Sequence, residues 1–126
     1  MSVLVDTSVW SDHFRKPNQI LVGLLVADLV LVHPMVLGEL ACGTPPEPRQ
    51  RTLSDIDTLA QANQATAAEV RALIERESLF GLGCGLVDLT LLASVLITPG
   101  ATLWTLDKRL ASLAERFGVC FFASVH

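Results

Sequence analysis

Apolar residues follow two different spacings along this chain. Short aliphatic runs predict β-strands, and longer segments with an apolar residue every three or four positions predict helices that bury one face. The predicted strands are residues 2–6, 29–33, 101–106 and 119–122. The predicted helices are residues 9–14, 20–27, 35–42, 49–59, 66–77, 87–97 and 108–117.

Strands and helices that alternate in this way are typical of an α/β fold, in which helices cover both faces of a parallel sheet. The 126 residues, 51% of them apolar, suit one domain with a substantial core. No repeat or linker interrupts the pattern. We therefore predict a single domain over residues 1–126, built as a three-layer α/β/α arrangement around a mainly parallel sheet of four to five strands.

Composition narrows the possible functions. A net charge of −4 does not suit a protein that binds nucleic acid through its overall charge, so such binding would need a local basic patch or a metal ion. No apolar run approaches the roughly 20 residues that span a bilayer, and the N-terminus lacks the pattern of a signal peptide. We therefore expect no membrane association and a cytoplasmic location. The three cysteines have no C-x-x-C spacing, which argues against a zinc site.

Four of the 13 acidic residues lie in apolar sequence surroundings. Asp6 and Asp107 each follow an apolar strand, Glu39 lies within MVLGELAC, and Asp88 lies within GLVDLTLLA. Because sites in parallel α/β sheets form at the carboxyl ends of the strands, we expect Asp6 and Asp107 at the same edge. Taken alone, Asp88 fits a helix N-terminus about as well, and Glu39 fits a buried polar group that has a partner.

Four carboxylates in one crevice would require a source of positive charge, because like charges repel strongly where the dielectric is low. Lys108 is the one basic residue in the apolar segments that surround them. Protonation, intruding basic side chains or a divalent cation would each relieve the repulsion. Hard oxygen ligands in an α/β crevice favour Mg²⁺ or Mn²⁺.

The segments around these acids resemble those of PIN-domain ribonucleases of the VapC type, the toxin halves of bacterial toxin–antitoxin pairs. The matching segments are LVDTSVW, GELACG, GLGCGLVDLTLLAS and LWTLDKRL, which occur in the family's order across the whole chain. The family's acidic quartet falls on Asp6, Glu39, Asp88 and Asp107. The chain departs from residues that many members share at Leu82, Leu86 and Leu89–Thr90.

The resemblance implies a PIN-like fold and a divalent-metal-dependent endoribonuclease that uses Mg²⁺ or Mn²⁺. Asp6, Asp88 and Asp107 would supply most of the metal ligands, and Glu39 would be a further ligand or would orient a bound water. The resemblance also implies a toxin that cleaves tRNA, rRNA or mRNA and so inhibits translation and growth. Its partners would be a VapB-like antitoxin that blocks the site, a second copy in a homodimer, and a larger toxin–antitoxin assembly.

Hydroxyl groups near the acids are candidates for a supporting role. Thr7, Ser8 and Thr105 could bond to the carboxylates or to a metal-bound water. The alternative is that Thr7 or Ser8 caps the first predicted helix, since Ser and Thr beside a helix start are usually caps.

RNA contacts would have to come from basic side chains near the same edge. The candidates are Arg15, Lys16, Lys108 and Arg109. Lys108 is favoured because it adjoins Asp107, and the alternative for all four is solvated surface charge. A histidine general base is not expected, because metal-activated water makes one unnecessary and because His13, His33 and His126 share no motif.

Two other functions remain open on the residues alone. An aspartyl-phosphate phosphatase or phosphotransferase would also have an aspartate at the end of strand one, but with a second acid where this chain has Ser8. A catalytically silent binding or regulatory module is the other, although four unpaired acids without a metal would destabilise it. The apolar helices 20–27 and 87–97 indicate a partner surface such as a homodimer interface, or, for 87–97, a buried central helix.

Overall fold

A computed structural model describes residues 1–123 of the chain. The strands in that range are β1 (Ser2–Val5), β2 (Val30–Val32), β3 (Ala60–Gln61) and β4 (Ala101–Trp104). The helices are α1 (Thr7–Arg15), α2 (Gln19–Val26), α3 (Pro34–Cys42), α4 (Arg49–Asp57), α5 (Ala67–Glu77), α6 (Leu86–Leu96) and α7 (Lys108–Arg116). Every predicted helix is present, with ends within two residues of those predicted.

The four strands form one parallel sheet in the order β3-β2-β1-β4. β1 pairs with a strand on each side, and its residues Val3, Leu4 and Val5 are completely buried. A strand that is covered on both faces carries a continuous aliphatic run, which explains why the run VLV predicts this strand correctly. The predicted three-layer α/β/α fold with a parallel sheet is confirmed.

The pairing of β1 with β4 sets the position of the candidate site. Val5 is paired with Trp104, and the backbone N–H of Asp6 donates to the Trp104 carbonyl at 2.9 Å. Asp6 and Thr105 therefore leave the sheet side by side at its carboxyl edge. β4 ends at Trp104, earlier than predicted, because its partner β1 ends at Val5 and the chain turns into α1 at Thr7.

Two helices begin where local chemistry predicts. The Asn18 side chain accepts hydrogen bonds from the N–H groups of Ile20 and Leu21 at 3.0 and 3.1 Å, which satisfies donors at the start of α2. Pro34 occupies the first turn of α3, where its missing N–H costs nothing.

Helix α6 is the central helix of the fold. Its residues Leu89 to Val95 are all buried, so both its faces contact protein. Of the two interpretations of its apolar composition, the buried central helix is the correct one. Exposed apolar side chains occur instead at the end of α2, where Val26 is 83% exposed, and at the start of α6, where Leu86 is 61% exposed.

Two predicted features of the sheet need correction. β3 was not predicted, because it consists of two exposed residues with no β-branched or aromatic side chain. The strand predicted at residues 119–122 is a single parallel bridge between Leu103 and Cys120, flanked by two backbone hydrogen bonds to Leu103. Within the described range, no helix has both the length and the apolar composition to cross a membrane.

Candidate active site

Asp6 is the most buried of the four acids, with 6% of its surface exposed. Its Oδ2 atom accepts hydrogen bonds from the Ser8 hydroxyl at 2.8 Å and from the Thr105 hydroxyl at 2.7 Å. Oδ1 has no hydrogen-bond partner among residues 1–123. These donors offset the cost of burying a polar group, and this arrangement leaves one oxygen for another ligand.

The two hydroxyls also fix the chain that follows β4. The Ser8 oxygen accepts a hydrogen bond from the N–H of Leu106 at 3.0 Å, and the Thr105 oxygen accepts one from the N–H of Asp107 at 3.0 Å. Each hydroxyl therefore donates to Asp6 and accepts from the backbone, so its orientation is determined on both sides. The network joins Asp6 at the end of β1 to Asp107 after β4.

Thr7 donates a hydrogen bond to Glu39, much as Ser8 and Thr105 do to Asp6. Its hydroxyl donates to Oε1 of Glu39 at 2.6 Å and so connects α1 to α3. Neither Thr7 nor Ser8 caps α1, since the N-cap position is occupied by Asp6 and its side chain makes no capping bond. The helix-cap interpretation of these two hydroxyls is therefore wrong.

Glu39 and Asp107 are more exposed than their apolar neighbours in the sequence suggested. α3 buries Val36 and Leu40, and Glu39 between them points outward because helical periodicity places it on another face. Asp107 is the N-cap of α7, and its Oδ1 accepts from the N–H groups of Arg109 and Leu110 at 2.9 and 3.0 Å. Its other oxygen, Oδ2, makes no hydrogen bond within residues 1–123.

The pKa of Asp88 indicates that the four acids lie close enough to interact electrostatically. Asp88 lies in the first turn of α6, partly buried, with one long bond of 3.4 Å from the N–H of Gly85. Burial raises its pKa most, and the negative charges of Asp6, Asp107 and Glu39 raise the pKa further, against the lowering effect of the Gly85 N–H. The topology thus brings four acids from distant parts of the sequence within electrostatic reach of one another.

None of these carboxylates has a basic partner in the part of the chain that the structure describes. The one salt bridge between residues 1 and 123 joins Arg15 to Asp12 at 3.3 Å on the surface of α1. Across the same range, no three acidic, histidine or cysteine side chains converge closely enough to hold a metal ion as they stand. The donor set is nevertheless all oxygen and uncompensated, which fits a hard divalent cation once the side chains turn inward.

Of the four basic candidates, Arg109 is the one that contacts the glycine-rich segment before α6. Its guanidinium packs against Gly83, with Nη1 at 3.4 Å from the Gly83 carbonyl. Burial raises the pKa of the nearby Cys84 thiol, Asp88 and Asp107 raise it further, and Arg109 lowers it. Arg109 therefore lies at the same edge as Asp88 and Asp107. Lys108 is exposed, as Arg109 is, but makes no side-chain hydrogen bond within residues 1–123.

The other two basic candidates lie at the end of α1. Arg15 lines an open cleft of about 480 Å³ that also contains Glu39, and Lys16 does not line it. The cleft includes Phe14 and the segment 43–46, neither of which a sequence pattern marks as functional. The one sequence feature that could have drawn attention to that segment is its pair of prolines, which predicts a rigid turn but indicates no function.

The described histidines have structural roles. Nδ1 of His13 accepts from the N–H of Asn18 at 2.9 Å. Nδ1 of His33 accepts from the N–H of Met35 at 3.1 Å, and its Nε2 lies 3.2 Å from the Ser94 hydroxyl. Burial lowers the pKa of His33, which keeps its imidazole neutral. His126 lies outside the described residues.

The parallel sheet covered by helices on both faces is consistent with a PIN-like domain. No family model matches the sequence. The chain is 42% identical over 123 residues to Ribonuclease VapC32 from two strains of Mycobacterium tuberculosis, and the match covers 98% of each chain. At that identity and coverage, the chain belongs to the VapC ribonuclease family.

Proposed function

We propose that this chain is a divalent-metal-dependent endoribonuclease that acts as the toxin of a toxin–antitoxin pair. The observation that carries the proposal is the group of four carboxylates at one sheet edge: none has a basic partner within residues 1–123, and Asp6, Asp107 and Glu39 add to the effect of burial in raising the pKa of Asp88. A group of this kind is stabilised by a cation and is costly without one. The similarity to a protein named a ribonuclease supports RNA as the substrate.

Asp6, Asp88 and Asp107 would hold the cation, Mg²⁺ or Mn²⁺, and Glu39 would be a further ligand or would orient a bound water. When bound, such a cation lowers the pKa of a coordinated water and offsets charge on the phosphate. Oδ1 of Asp6 is available for this role because both hydroxyl donors use Oδ2.

The remaining side chains of the site hold these acids in place. Ser8 and Thr105 fix the Asp6 carboxylate, and Thr7 fixes Glu39. The start of α7 fixes Asp107 through two backbone N–H groups. These bonds restrict Asp6, Glu39 and Asp107 before a cation binds, which lowers the free-energy cost of ordering their side chains around it.

RNA binding requires cations near the acid edge, because the edge itself repels phosphate. Arg15, Lys16, Lys108 and Arg109 are the proposed contacts. Arg109 has the strongest support, since it lies beside Asp88 and Asp107. In a salt titration of RNA binding, each true phosphate contact contributes to the slope.

The proposed partners are a VapB-like antitoxin and a second copy of this chain, with action in the cytoplasm on tRNA, rRNA or mRNA. Support comes from apolar side chains exposed beside the acids. Phe80, Leu82, Leu86 and Leu106 are between 44% and 61% exposed and belong to the segments that carry Asp88 and Asp107. Exposed apolar groups at this density usually mark a surface that a partner covers.

The first test is cleavage of total cellular RNA by the purified chain, with Mg²⁺ or Mn²⁺ and with chelator. We expect discrete fragments that need the metal, and loss of cleavage by at least about 100-fold in Asp6→Asn, which keeps the shape and removes the charge. Asp57→Asn, an exposed residue of α4, is the control with the same change in net charge. Full metal-dependent cleavage by Asp6→Asn would show that the site is assigned wrongly.

A negative cleavage result would be resolved by thermal unfolding. Mg²⁺ or Mn²⁺ should raise the melting temperature if the acids hold a cation, even when the RNA target is missing from the pool. Neither cleavage nor stabilisation by metal would favour the catalytically silent module.

A further inference from the structure

The cleft at the end of α1 is continuous with the acid edge. Glu39 forms part of its wall, and the same residue receives the Thr7 hydroxyl and contributes to the field at Asp88. Phe14 and Arg15 of α1 also line the cleft. A chain that crosses the four acids would therefore enter this cleft on leaving them at Glu39.

Hydrogen bonds from α4 hold the part of the cleft that the segment 43–46 forms. Pro45 is buried, and the hydroxyl of Thr52 donates to the Pro46 carbonyl at 2.8 Å. The guanidinium of Arg49 bonds to the carbonyl of Ala41, just before the segment begins. The cleft, of about 480 Å³, is thus fixed by α4 before any ligand binds, and its volume lies in the range of small-ligand sites.

Phe14 gives the cleft an aromatic surface. Its ring centroid lies 6.1 Å from that of Trp10, which holds the ring from inside, while the ring remains only partly buried and lines the cleft. Aromatic rings in this position are the usual platform for an unstacked base, because every base has an apolar face.

Arg15 supplies a cation next to that ring. Its one hydrogen bond in the described chain is a single contact of 3.3 Å to Asp12, between two exposed side chains. Such exposed pairs contribute little, so a phosphate could readily replace the carboxylate as the partner of Arg15.

We propose that this cleft binds one unstacked nucleotide of single-stranded RNA, with the base on Phe14 and its phosphate on Arg15. This inference rests on the proposed ribonuclease function and adds to it a nucleotide subsite beside the four acids, which needs an unstacked base because a base held within a duplex cannot reach the ring. The chemistry of the cleft favours RNA over a peptide segment because it pairs one aromatic face with one weakly held cation beside a phosphodiester-cleaving edge.

The test is the affinity of a short mixed-sequence single-stranded oligoribonucleotide, measured by fluorescence anisotropy with the full chain carrying Asp6→Asn to prevent cleavage. Phe14→Leu should raise Kd about 5- to 50-fold, and Phe14→Tyr should restore the affinity. Arg15→Gln should weaken binding more than Arg71→Gln, which removes the same charge from an exposed position on α5. Asp12→Asn should tighten binding more than Asp57→Asn, because it frees Arg15.

A photo-cross-link gives a second measurement that does not depend on affinity. An oligonucleotide substituted with 5-iodouridine should cross-link to Phe14, as located by peptide mass spectrometry. Circular dichroism of Phe14→Leu checks that the variant is folded, and Phe14→Tyr keeps the test valid if it is not.

Equal affinity of all these variants for RNA, or cross-linking confined to other residues, would overturn the subsite and leave the proposed ribonuclease intact if total RNA is still cleaved. Failure of the parent chain both to bind and to cleave RNA would overturn both proposals. Unchanged RNA affinity of Phe14→Leu together with lost binding of the antitoxin would assign the cleft to a protein segment, and the proposal would be wrong.

Discussion

The asymmetry of hydrogen bonding at Asp6 determines what this carboxylate can do. Two hydroxyls donate to Oδ2, and Oδ1 has no partner within residues 1–123. Donors on both oxygens would stabilise the ion fully and leave no strong ligand for a cation. In Asp6, hydrogen bonds hold Oδ2 and leave Oδ1 available. This arrangement suits a metal ligand whose carboxylate must be oriented before the cation binds.

His33 shows how a histidine can be structural and still make the protein sensitive to pH. Its Nδ1 accepts the N–H of Met35, so in the neutral ring the proton lies on Nε2, which faces the Ser94 hydroxyl. That hydroxyl also accepts the N–H of Ala65, which connects α3 to α6 and to the segment before α5. Protonation of Nδ1 would remove the acceptor that begins α3.

We therefore expect acid to weaken the fold through His33. Burial lowers its pKa in the folded chain below the ordinary value of 6.5, so below about pH 6.5 the unfolded chain takes up a proton that the folded chain does not. The free energy of unfolding should then fall by up to about 1.4 kcal/mol per pH unit until the folded-state pKa is reached. Urea unfolding of the wild type and of His33→Asn, at a series of pH values, measures this effect.

His33→Asn is the informative variant because asparagine keeps an acceptor for the Met35 N–H and cannot be protonated. Its loss of the Ser94 contact should lower stability by about 1 kcal/mol at every pH. The same pH dependence in the wild type and the variant would show that another group is responsible.

At the scale of elements, the sequence was most informative where one residue decides the local structure. Asn18 and Pro34 place the starts of two helices, and the aliphatic run before Asp6 places the central strand. Local patterns could not reveal β3, which is defined only by its pairing with β2. They also could not show that Ser8 contacts Thr105, because the two residues are 97 positions apart.

The same limit applies to the candidate site. Four acids could be selected from their apolar neighbours, and the parallel sheet predicts a shared edge for Asp6 and Asp107. The exposure of Glu39 could not be predicted in this way, because an apolar helix still has one outward face. Phe14 belongs to the predicted helix 9–14, and nothing in the sequence shows that it lines a cleft.

The glycine-rich segment before α6 offers a matched pair of variants. Gly81 and Gly83 both have positive φ angles, of 72° and 85°, so alanine is strained at each and should cost about 1–2 kcal/mol of stability. At Gly83 the added Cβ would lie 2.8 Å from Nη1 of Arg109, whereas at Gly81 it would meet open space. The end of an arginine side chain can move, so the stability losses should be similar.

The two variants should differ in RNA binding if Arg109 contacts phosphate. Gly83→Ala should displace the guanidinium, reduce affinity severalfold and flatten the salt dependence as Arg109→Gln does, and Gly81→Ala should do neither. Anisotropy titrations at several salt concentrations give both quantities. Equal RNA affinity in the two alanine variants would argue that the position of Arg109 is unimportant.

On the scale of the whole molecule, the negative charge of the chain repels RNA, and two arginines near the acidic edge offset this repulsion locally. The net charge is −4, and four acids at one edge repel any phosphodiester. Arg15 lies in the cleft that begins at Glu39, and Arg109 lies beside Asp88 and Asp107. A cation thus lies near the acidic edge in two places, which would help to hold an RNA strand across it despite the unfavourable net field.

The repulsion between the four acids should lower the free energy of unfolding of the metal-free protein by a measurable amount. Burial and the charges of Asp6, Asp107 and Glu39 raise the pKa of Asp88 above its ordinary value of 3.8. A carboxyl whose pKa is raised by folding destabilises the fold at any pH above the folded-state value, and the effect disappears below the unfolded-state value. Replacing Asp88 by asparagine should therefore stabilise the protein at pH 7 when no metal is present.

We expect Asp88→Asn to raise the melting temperature in chelator by about 1–3 °C, a small gain because water screens a partly exposed carboxyl. The same variant should lose most of the stabilisation that Mg²⁺ gives the parent chain, since it removes a ligand. Asp28→Asn, at an exposed position outside the site, makes the same change in net charge and should do neither. A lower melting temperature for Asp88→Asn in chelator, with the response to Mg²⁺ undiminished, would mean that Asp88 supports the fold and not the cation.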